Sequence, residues 1–465
     1  MCFMSKAIKN KRLRHIQDNN WIYNLLSPVV QYGFCCHYRS FVVRGIENLP
    51  TDSPYIIAPC HQQALMEPLA VLCFAPKPPV FLARADLFNN PTLRRILTFL
   101  KIMPVYRIRD GQQQLGRNQE IFDRCRDVLL DGYPLCLMAE GRHNNRHALL
   151  PLVKGMFRIA CQTQQALGER PLYIVPTGID FDEYERPYAN LVVNIGRPIA
   201  VQPYMDTYSS NEPLALNEMR DALRGSLSPL MLDIRTTQAA GIADCYNRIL
   251  TLCNMQNRAL RRQLRLPNNA WNRFIVRQQI ARRLDALAES NPEEFARQME
   301  ISGRFQAMCS RHEIGEKVIA EHWSLAATLT AALAVLFVLA VAVVWRPLRL
   351  VALFALVCYP LPLIPTHLMV KPRVADPQFR SSFNWGVRFF GSIVYALVIG
   401  IVMAATRGAW MDALLPFGAW YGLVAVAIVV VGARLAAPFN SFLRDIAGNL
   451  RYWFLRIAHP ELRVY

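Results

Sequence analysis

None of the chain's 12 cysteines stands in a Cys-x-x-Cys pair and no His-Glu-x-x-His run occurs, which removes the usual sequence signatures of a structural zinc site, a dithiol redox centre and a zinc hydrolase. Single cysteines, with Cys35 and Cys36 adjacent, read as reduced thiols. The opening stretch MCFMSKAIKNKRLRHIQDNN lacks the apolar core of roughly 7–15 residues that a secretory signal requires, so the N-terminus is expected to begin and remain in the cytoplasm. Internal repeats and low-complexity segments are missing too. Negative charge is scarce: 34 Asp and Glu stand against 52 Lys and Arg, a formal net charge of +18 spread along the chain. Such a balance suits nucleic acid or anionic lipid headgroups. The 53% of hydrophobic residues is more than a water-soluble chain of this length usually carries, and it favours lipid over nucleic acid.

Long apolar runs supply the reason. Residues 324–344, SLAATLTAALAVLFVLAVAVV, carry no charge and reach the ~20 residues needed to cross a ~30 Å hydrocarbon layer. Residues 348–370 are apolar but hold Pro360, Pro362 and Pro365, which leaves open a kinked span or a re-entrant segment. Residues 386–406 and 413–432 make a third and a fourth expected span. The loop at 371–388 and the tail after 434 are rich in arginine, which by the positive-inside rule puts both on the cytoplasmic side with the N-terminal half; the RPLR turn at 346–349 argues mildly the other way.

Upstream of residue 236 the texture changes. PYIIAP, PPVFLAR, IMPVYRI, PLCLMAEG, LYIVPTGIDF and LVVNIGRPI are short apolar runs bounded by proline, glycine or charge, as buried strands of an α/β sheet should be. Between them QQQLGRNQEIFDRCRDVLLDGYP places its apolar residues on one helical stripe and stops at Gly132. The expected plan is a basic arm and interfacial element at 1–40, an α/β domain at 41–235, a basic helical linker at 236–322, a transmembrane region of about four spans at 323–435, and a cytoplasmic tail at 436–465. The linker's row of arginines, Arg258, Arg261, Arg262, Arg265, Arg273, Arg277, Arg282 and Arg283, reads either as a solvated face or as a surface lying on anionic headgroups.

Four short stretches in the α/β region occur in a fixed order: CHQQALMEP, MPVYRIR, MAEGRH and IVPTG. The series resembles the membrane-bound glycerolipid acyltransferases, a family that includes the lysophosphatidate and glycerol-3-phosphate acyltransferases, and the resemblance covers roughly residues 40–205. CHQQALMEPLAVL is similar to the subgroup with five residues between the motif His and its carboxylate, with Glu67 where the family has Asp. MPVYRIR puts Arg109 at the family's arginine and Met103 where Gly is usual. MAEGRH matches at Glu140 and Gly141, while Met138 and Ala139 precede them and Arg142 and His143 replace Thr and Arg. IVPTG places Pro176 at the family's proline and Thr177 at its aliphatic position. The resemblance implies a mixed sheet flanked by helices, an acyl-CoA or acyl carrier protein donor, a glycerol phosphate or lysophospholipid acceptor, membrane lipids as surroundings, a place in phospholipid synthesis, and neither metal nor organic cofactor.

The chemistry such a series needs can be stated residue by residue. Transfer of an acyl group from a thioester to a hydroxyl requires a base to take the hydroxyl proton, and an imidazole of pKa near ~6.5 suits that task, which makes His61 the candidate. A carboxylate on the other ring nitrogen would fix the tautomer and stabilise the imidazolium, the role open to Glu67. A phosphorylated acceptor needs cations, for which Arg109, Arg142 and His143 are the candidates, with Arg107 and Lys154 behind them. Glu140, turned by Gly141, could orient an arginine or a glycerol hydroxyl, and Pro176 could shape a pocket wall or end a strand. A Cys60–His61 thiolate dyad is disfavoured, because neighbours on an extended chain face opposite ways. The departures at Glu67, Met103, Met138, Ala139 and His143 keep open a rival: a membrane-bound lipid-binding or scaffold protein that no longer turns over. The expected topology has a direct check. With Gln378→Cys in membrane vesicles, an impermeant thiol reagent should modify the site only from the cytoplasmic side, and labelling from the periplasmic or luminal side would refute the arrangement.

Overall fold

In the computed structural model, residues 15–106, 118–144, 146–184, 188–236, 244–344, 370, 374, 376–405, 442, 443 and 445–459 are described. The strand-length runs become strands because they are mostly apolar, as the members of a sheet covered by helices need to be. In chain order the first half runs α1 (Trp21–His37), β1 (Ser40–Arg44), β2 (Tyr55–Pro59), α2 (Met66–Phe74), β3 (Val80–Arg84), α3 (Pro91–Phe99), β4 (Ile102–Val105), α4 (Asn118–Leu130), β5 (Leu135–Cys136), α5 (Gly155–Leu167), β6 (Tyr173–Phe181), β7 (Asn190–Ile195) and β8 (Ile199–Ala200). The strands form one mixed sheet in the order β1-β7-β6-β2-β5-β3-β4, with β8 beside β6. β2 lies at its centre, parallel to β5 and β6, while β6 pairs antiparallel with β7 and β8. Helices cover both faces of this sheet, and the expected α/β architecture is what forms.

Pro176 sits inside β6 instead of ending it. On one side it pairs with Ala58 of β2. On the other, β6 changes partner there, from β8 at Ile174 to β7 at Thr177, so the missing N–H falls in the gap between two ladders. Its carbonyl accepts the N–H of Gly196, the residue that links β7 towards β8.

Two glycines show how closely the layers meet. A Cβ at Gly178 would lie 2.1 Å from the backbone oxygen of Leu230, and one at Gly33 would lie 2.3 Å from the ring of Phe389. α1 therefore runs through both Pro28 and Gly33 as one helix, where the sequence pattern suggests an interruption. Its outer side carries the exposed Trp21, Leu25 and Val29.

The second half is helical: α6 (Met205–Ser210), α7 (Glu212–Leu227), α8 (Cys245–Gln263), α9 (Ala270–Ser290), α10 (Pro292–Arg311), α11 (Glu316–Ala320), α12 (Leu325–Val344) and α13 (Pro377–Ala405). The arginine row does not lie on one face. Arg262, Arg265, Arg282 and Arg283 are exposed, but Arg261 and Arg277 are buried. The Arg261 guanidinium reaches Glu321 at 3.1 Å and that of Arg277 reaches Asp180 of β6 at 3.3 Å. Neither a solvated face nor a headgroup-binding surface describes those two; acids from elsewhere in the fold draw them inward.

Among the described residues no helix is long and apolar enough to cross a membrane. The first expected span coincides with α12, a helix of 20 residues with no charged residue. The third expected span lies largely within α13, which carries Arg380 and Arg388 in its first half. The span expected at 413–432 and all but Val370 of that at 348–370 lie outside the described residues.

The tight seat of Gly178 against Leu230 sets a stability test. Gly178→Ala should cost about 3 kcal/mol or more, because the neighbour it meets is backbone. Gly225→Ala, inside α7 with open space around it, should instead stabilise by about 0.4–1 kcal/mol. Thermal unfolding in detergent measures both, and equal melting temperatures for the two variants would contradict the packing.

Candidate active site

β2 leaves the sheet at Pro59, and the chain passes Cys60 and His61 before turning into α2 at Met66. The C-terminal edge of a parallel set of strands is where α/β sheets hold their ligands, since strands end there and loops diverge. Glu67, in the first turn of α2, points back over the loop it has just closed. Its Oε1 accepts the backbone N–H groups of Gln62 at 2.8 Å and Gln63 at 2.5 Å. Its Oε2 lies 3.5 Å from His61 Nδ1, with the Glu67 side chain wholly buried and 12% of the His61 side chain exposed. The five intervening residues are the length of that return, and the longer glutamate side chain spans it. His61 and Glu67 are thus brought together, through Nδ1 of the imidazole.

The main chain of His61 is held separately. β5 continues its pairing beyond the regular strand, Leu137 N–H donating to Ile57 and Ala139 N–H to Pro59, which carries Glu140 alongside His61. Glu140 Oε1 accepts the His61 N–H at 2.8 Å and its Oε2 accepts that of Leu150 at 3.0 Å, while the His61 carbonyl accepts the N–H of Asn144. Burial pushes the Glu140 carboxyl up to about 7, against the opposing pull of those two backbone donors. One oxygen of Glu140 therefore braces the His61 main chain, and the other ties it to Leu150. Gly141 follows in the left-handed region at φ +63, and a Cβ there would meet Val153 at 2.8 Å, so the turn after Glu140 calls for glycine on two counts.

The His143 ring stands edge-on to that of His61 at 5.2 Å between centroids and edge-on to Phe379 of α13 at 5.1 Å. Ser382 Oγ, also from α13, accepts the N–H of Leu65 at 3.2 Å. Arg142 is exposed beside this group, and Lys154 is exposed at the cap of α5. Pro176 is buried within β6. Arg107 and Arg109 lie outside the described residues, just after β4. Cys60 faces away from His61: its Sγ accepts the N–H of Ile179 at 3.1 Å, and burial raises the thiol pKa well above its ordinary value, which overturns any thiolate dyad.

Sequence reasoning missed Gln62, Gln63, Phe379 and Ser382. The two glutamines had a signal, since polar residues that stay buried in an apolar run need partners. Phe379 and Ser382 had none, because they reach the site from a remote part of the chain: Ser382 stands 317 positions from Leu65.

Residues 40–180 match the family model described as Acyltransferase. Among solved structures, the 1-acyl-sn-glycerophosphate (LPA) acyltransferase PlsC from Thermotoga maritima is similar at 20% identity and a TM-score of 0.31, over 43% of this chain and 79% of that one. No curated protein matches the chain.

The pair itself is tested by charge removal at constant size. Glu67→Gln should lower turnover by about 10²–10⁴, the range seen when a general base or its orienting acid is disabled, and His61→Ala should do at least as much. Glu67→Asp, one methylene shorter, should fall short of the ring and also lose activity. Steady-state assay of membranes checks all three, and full activity in Glu67→Gln would dissolve the pair.

Proposed function

We propose that the protein, whose residues 40–180 match the acyltransferase family model, moves a fatty acyl chain from a thioester, on coenzyme A or acyl carrier protein, to glycerol-3-phosphate or 1-acylglycerol-3-phosphate in phospholipid synthesis. The proposal includes a setting in the membrane with the catalytic domain on the cytoplasmic side, and no metal or organic cofactor. The observation that carries it is the wholly buried Glu67 carboxylate facing Nδ1 of a partly exposed His61 at the end of the central strand.

The steps follow from that geometry. With its Nδ1 hydrogen turned to Glu67, His61 presents the Nε2 lone pair, which takes the proton of the acceptor hydroxyl as its oxygen attacks the thioester carbonyl. The imidazolium so formed is stabilised by the carboxylate. As the tetrahedral intermediate collapses, the C–S bond breaks and the leaving thiolate takes that proton. The ester is complete and the base is regenerated without a covalent enzyme intermediate, since the substrate itself supplies the hydroxyl. Arg142 and His143, beside the pair, and Arg107, Arg109 and Lys154 are the cations assigned to the acceptor phosphate, which guanidinium meets in bidentate geometry.

The rival reading, a lipid-binding or scaffold protein without turnover, is favoured by one observation: 3.5 Å is longer than a hydrogen bond. Catalytic pairs are often long without substrate and tighten on binding. Mass spectrometry of the lipids formed by membranes given acyl thioester and each acceptor in turn decides between them; an acylated phospholipid product is expected, and thioester left intact with every acceptor would favour the scaffold. On the same assay Arg109→Ala should cost about 1.5–3 kcal/mol in use of the phosphorylated acceptor and little in use of the donor. Equal losses in the two Michaelis constants would count against its headgroup role.

A further inference from the structure

Gln62 and Gln63 lie between His61 and Glu67, and both are buried. Their backbone N–H groups go to Glu67, and their side chains go to one residue, Tyr184. The Tyr184 hydroxyl donates to Gln62 Oε1 at 2.8 Å, and Gln63 Nε2 donates to the Tyr184 carbonyl at 3.0 Å. Tyr184 follows β6, far along the chain from the loop it grips.

Behind Tyr184 stands a buried polar cluster. Its ring stacks on His147 at 4.7 Å between centroids and 29° between planes. His147 Nδ1 is 3.1 Å from Asp180 Oδ1, and its Nε2 is 3.3 Å from Arg277 Nη2. Arginine can only donate, so Nε2 is the acceptor and the imidazole hydrogen lies on Nδ1, towards Asp180. Burial lowers the His147 pKa, which keeps the ring in this neutral form. The same Asp180 meets Arg277 Nη1 at 3.3 Å through its second oxygen, and Tyr246 of α8 holds the His147 N–H through its hydroxyl at 2.7 Å. Asp180, His147 and Arg277 are each at least nine-tenths buried, and Arg277 and Tyr246 both come from the helical segment after the sheet.

We infer that Tyr184 is a positioning residue for the loop at 61–67, and that the helical segment, bracing Tyr184 through Arg277 and Tyr246, is part of the catalytic unit. The inference rests on reading His61 as the base. A path of direct contacts runs from Arg277 through Asp180 and His147 to the Tyr184 ring, and from the Tyr184 hydroxyl and carbonyl to the two glutamines whose N–H groups fix the Glu67 carboxylate. A buried ion pair that joins two parts of a fold is costly to desolvate and holds them in one register only when every partner is in place. Here the register it sets is that of the strap carrying the base.

Tyr184→Phe removes the hydroxyl and keeps the ring on His147. Measured with acyl thioester and acceptor in purified membranes, kcat should fall about 10-fold, below the ~10²-fold that a ~1 Å misplacement of a catalytic group can bring, with KM unchanged and a modest fall in melting temperature from the unpartnered Gln62 Oε1. Gln62→Met should lose as much, and the double variant should lose no more than either alone, because both act through one hydrogen bond. Native kcat in Tyr184→Phe, or losses that multiply in the double variant, would overturn the inference. His61→Ala run alongside separates the two readings: inactivity there with a silent Tyr184→Phe sinks only the positioning role, whereas full activity in His61→Ala sinks the functional reading beneath it.

Discussion

A carboxyl group taken wholly out of water has to find donors, and at Glu67 the donors are the backbone of the loop that leads to it. That one constraint shapes the site. Oε1 gathers the N–H groups of Gln62 and Gln63, so the chain must double back immediately after His61, and the doubling back is what aims Oε2 at the imidazole. Glu140 repeats the device on the other side by accepting the His61 N–H itself. Two buried acids thus organise a segment with no regular secondary structure of its own, and the parallel strands β2 and β5 supply the rigid edge from which both are hung. The apolar sheet positions the site only coarsely; the last ångström comes from these charge-assisted bonds to backbone.

Much of this architecture is legible in the residues alone. Runs such as YIIAP and VFLAR are apolar on both faces and punctuated by proline or charge, a pattern only a covered parallel sheet can use, and they are β2 and β3. PLCLMAEG reads as a full strand; only Leu135 and Cys136 are regular, and the chain beyond them keeps two bonds to β2, through Leu137 and Ala139, as it delivers Glu140. The His61–Glu67 pairing is implied by the resemblance of CHQQALMEP to the family's first block and not by spacing alone. The bracing of its loop is not implied, since neither local propensity nor periodicity encodes which distant side chain a buried glutamine will meet.

The arginines make the same point more sharply. Arg261 and Arg262 are adjacent and chemically identical, yet one is buried against Glu321 and the other faces water. Arg277 is drawn inward by Asp180, 97 residues away, while Arg282 on the same helix stays exposed. Counting charges along a helix reports how many are present, and what each does is decided by long-range acids that a linear pattern does not reveal. The excess of positive charge is therefore not all available to a lipid surface: some of it is spent inside the protein.

The contacts made by α13 bear on how the molecule can be cut for study. Phe379 lies against the His143 ring, Ser382 satisfies the Leu65 N–H, Trp385 is seated in the main core, and Phe389 fills the space that Gly33 leaves open. A shortened fragment ending before residue 377 would retain every described strand and every residue of the family match, and would still expose the His143 ring and the Gly33 face of α1. Such a fragment would be a poor stand-in for the whole chain: trimming it there would remove the side chains that pack against His143 and hold the Leu65 N–H.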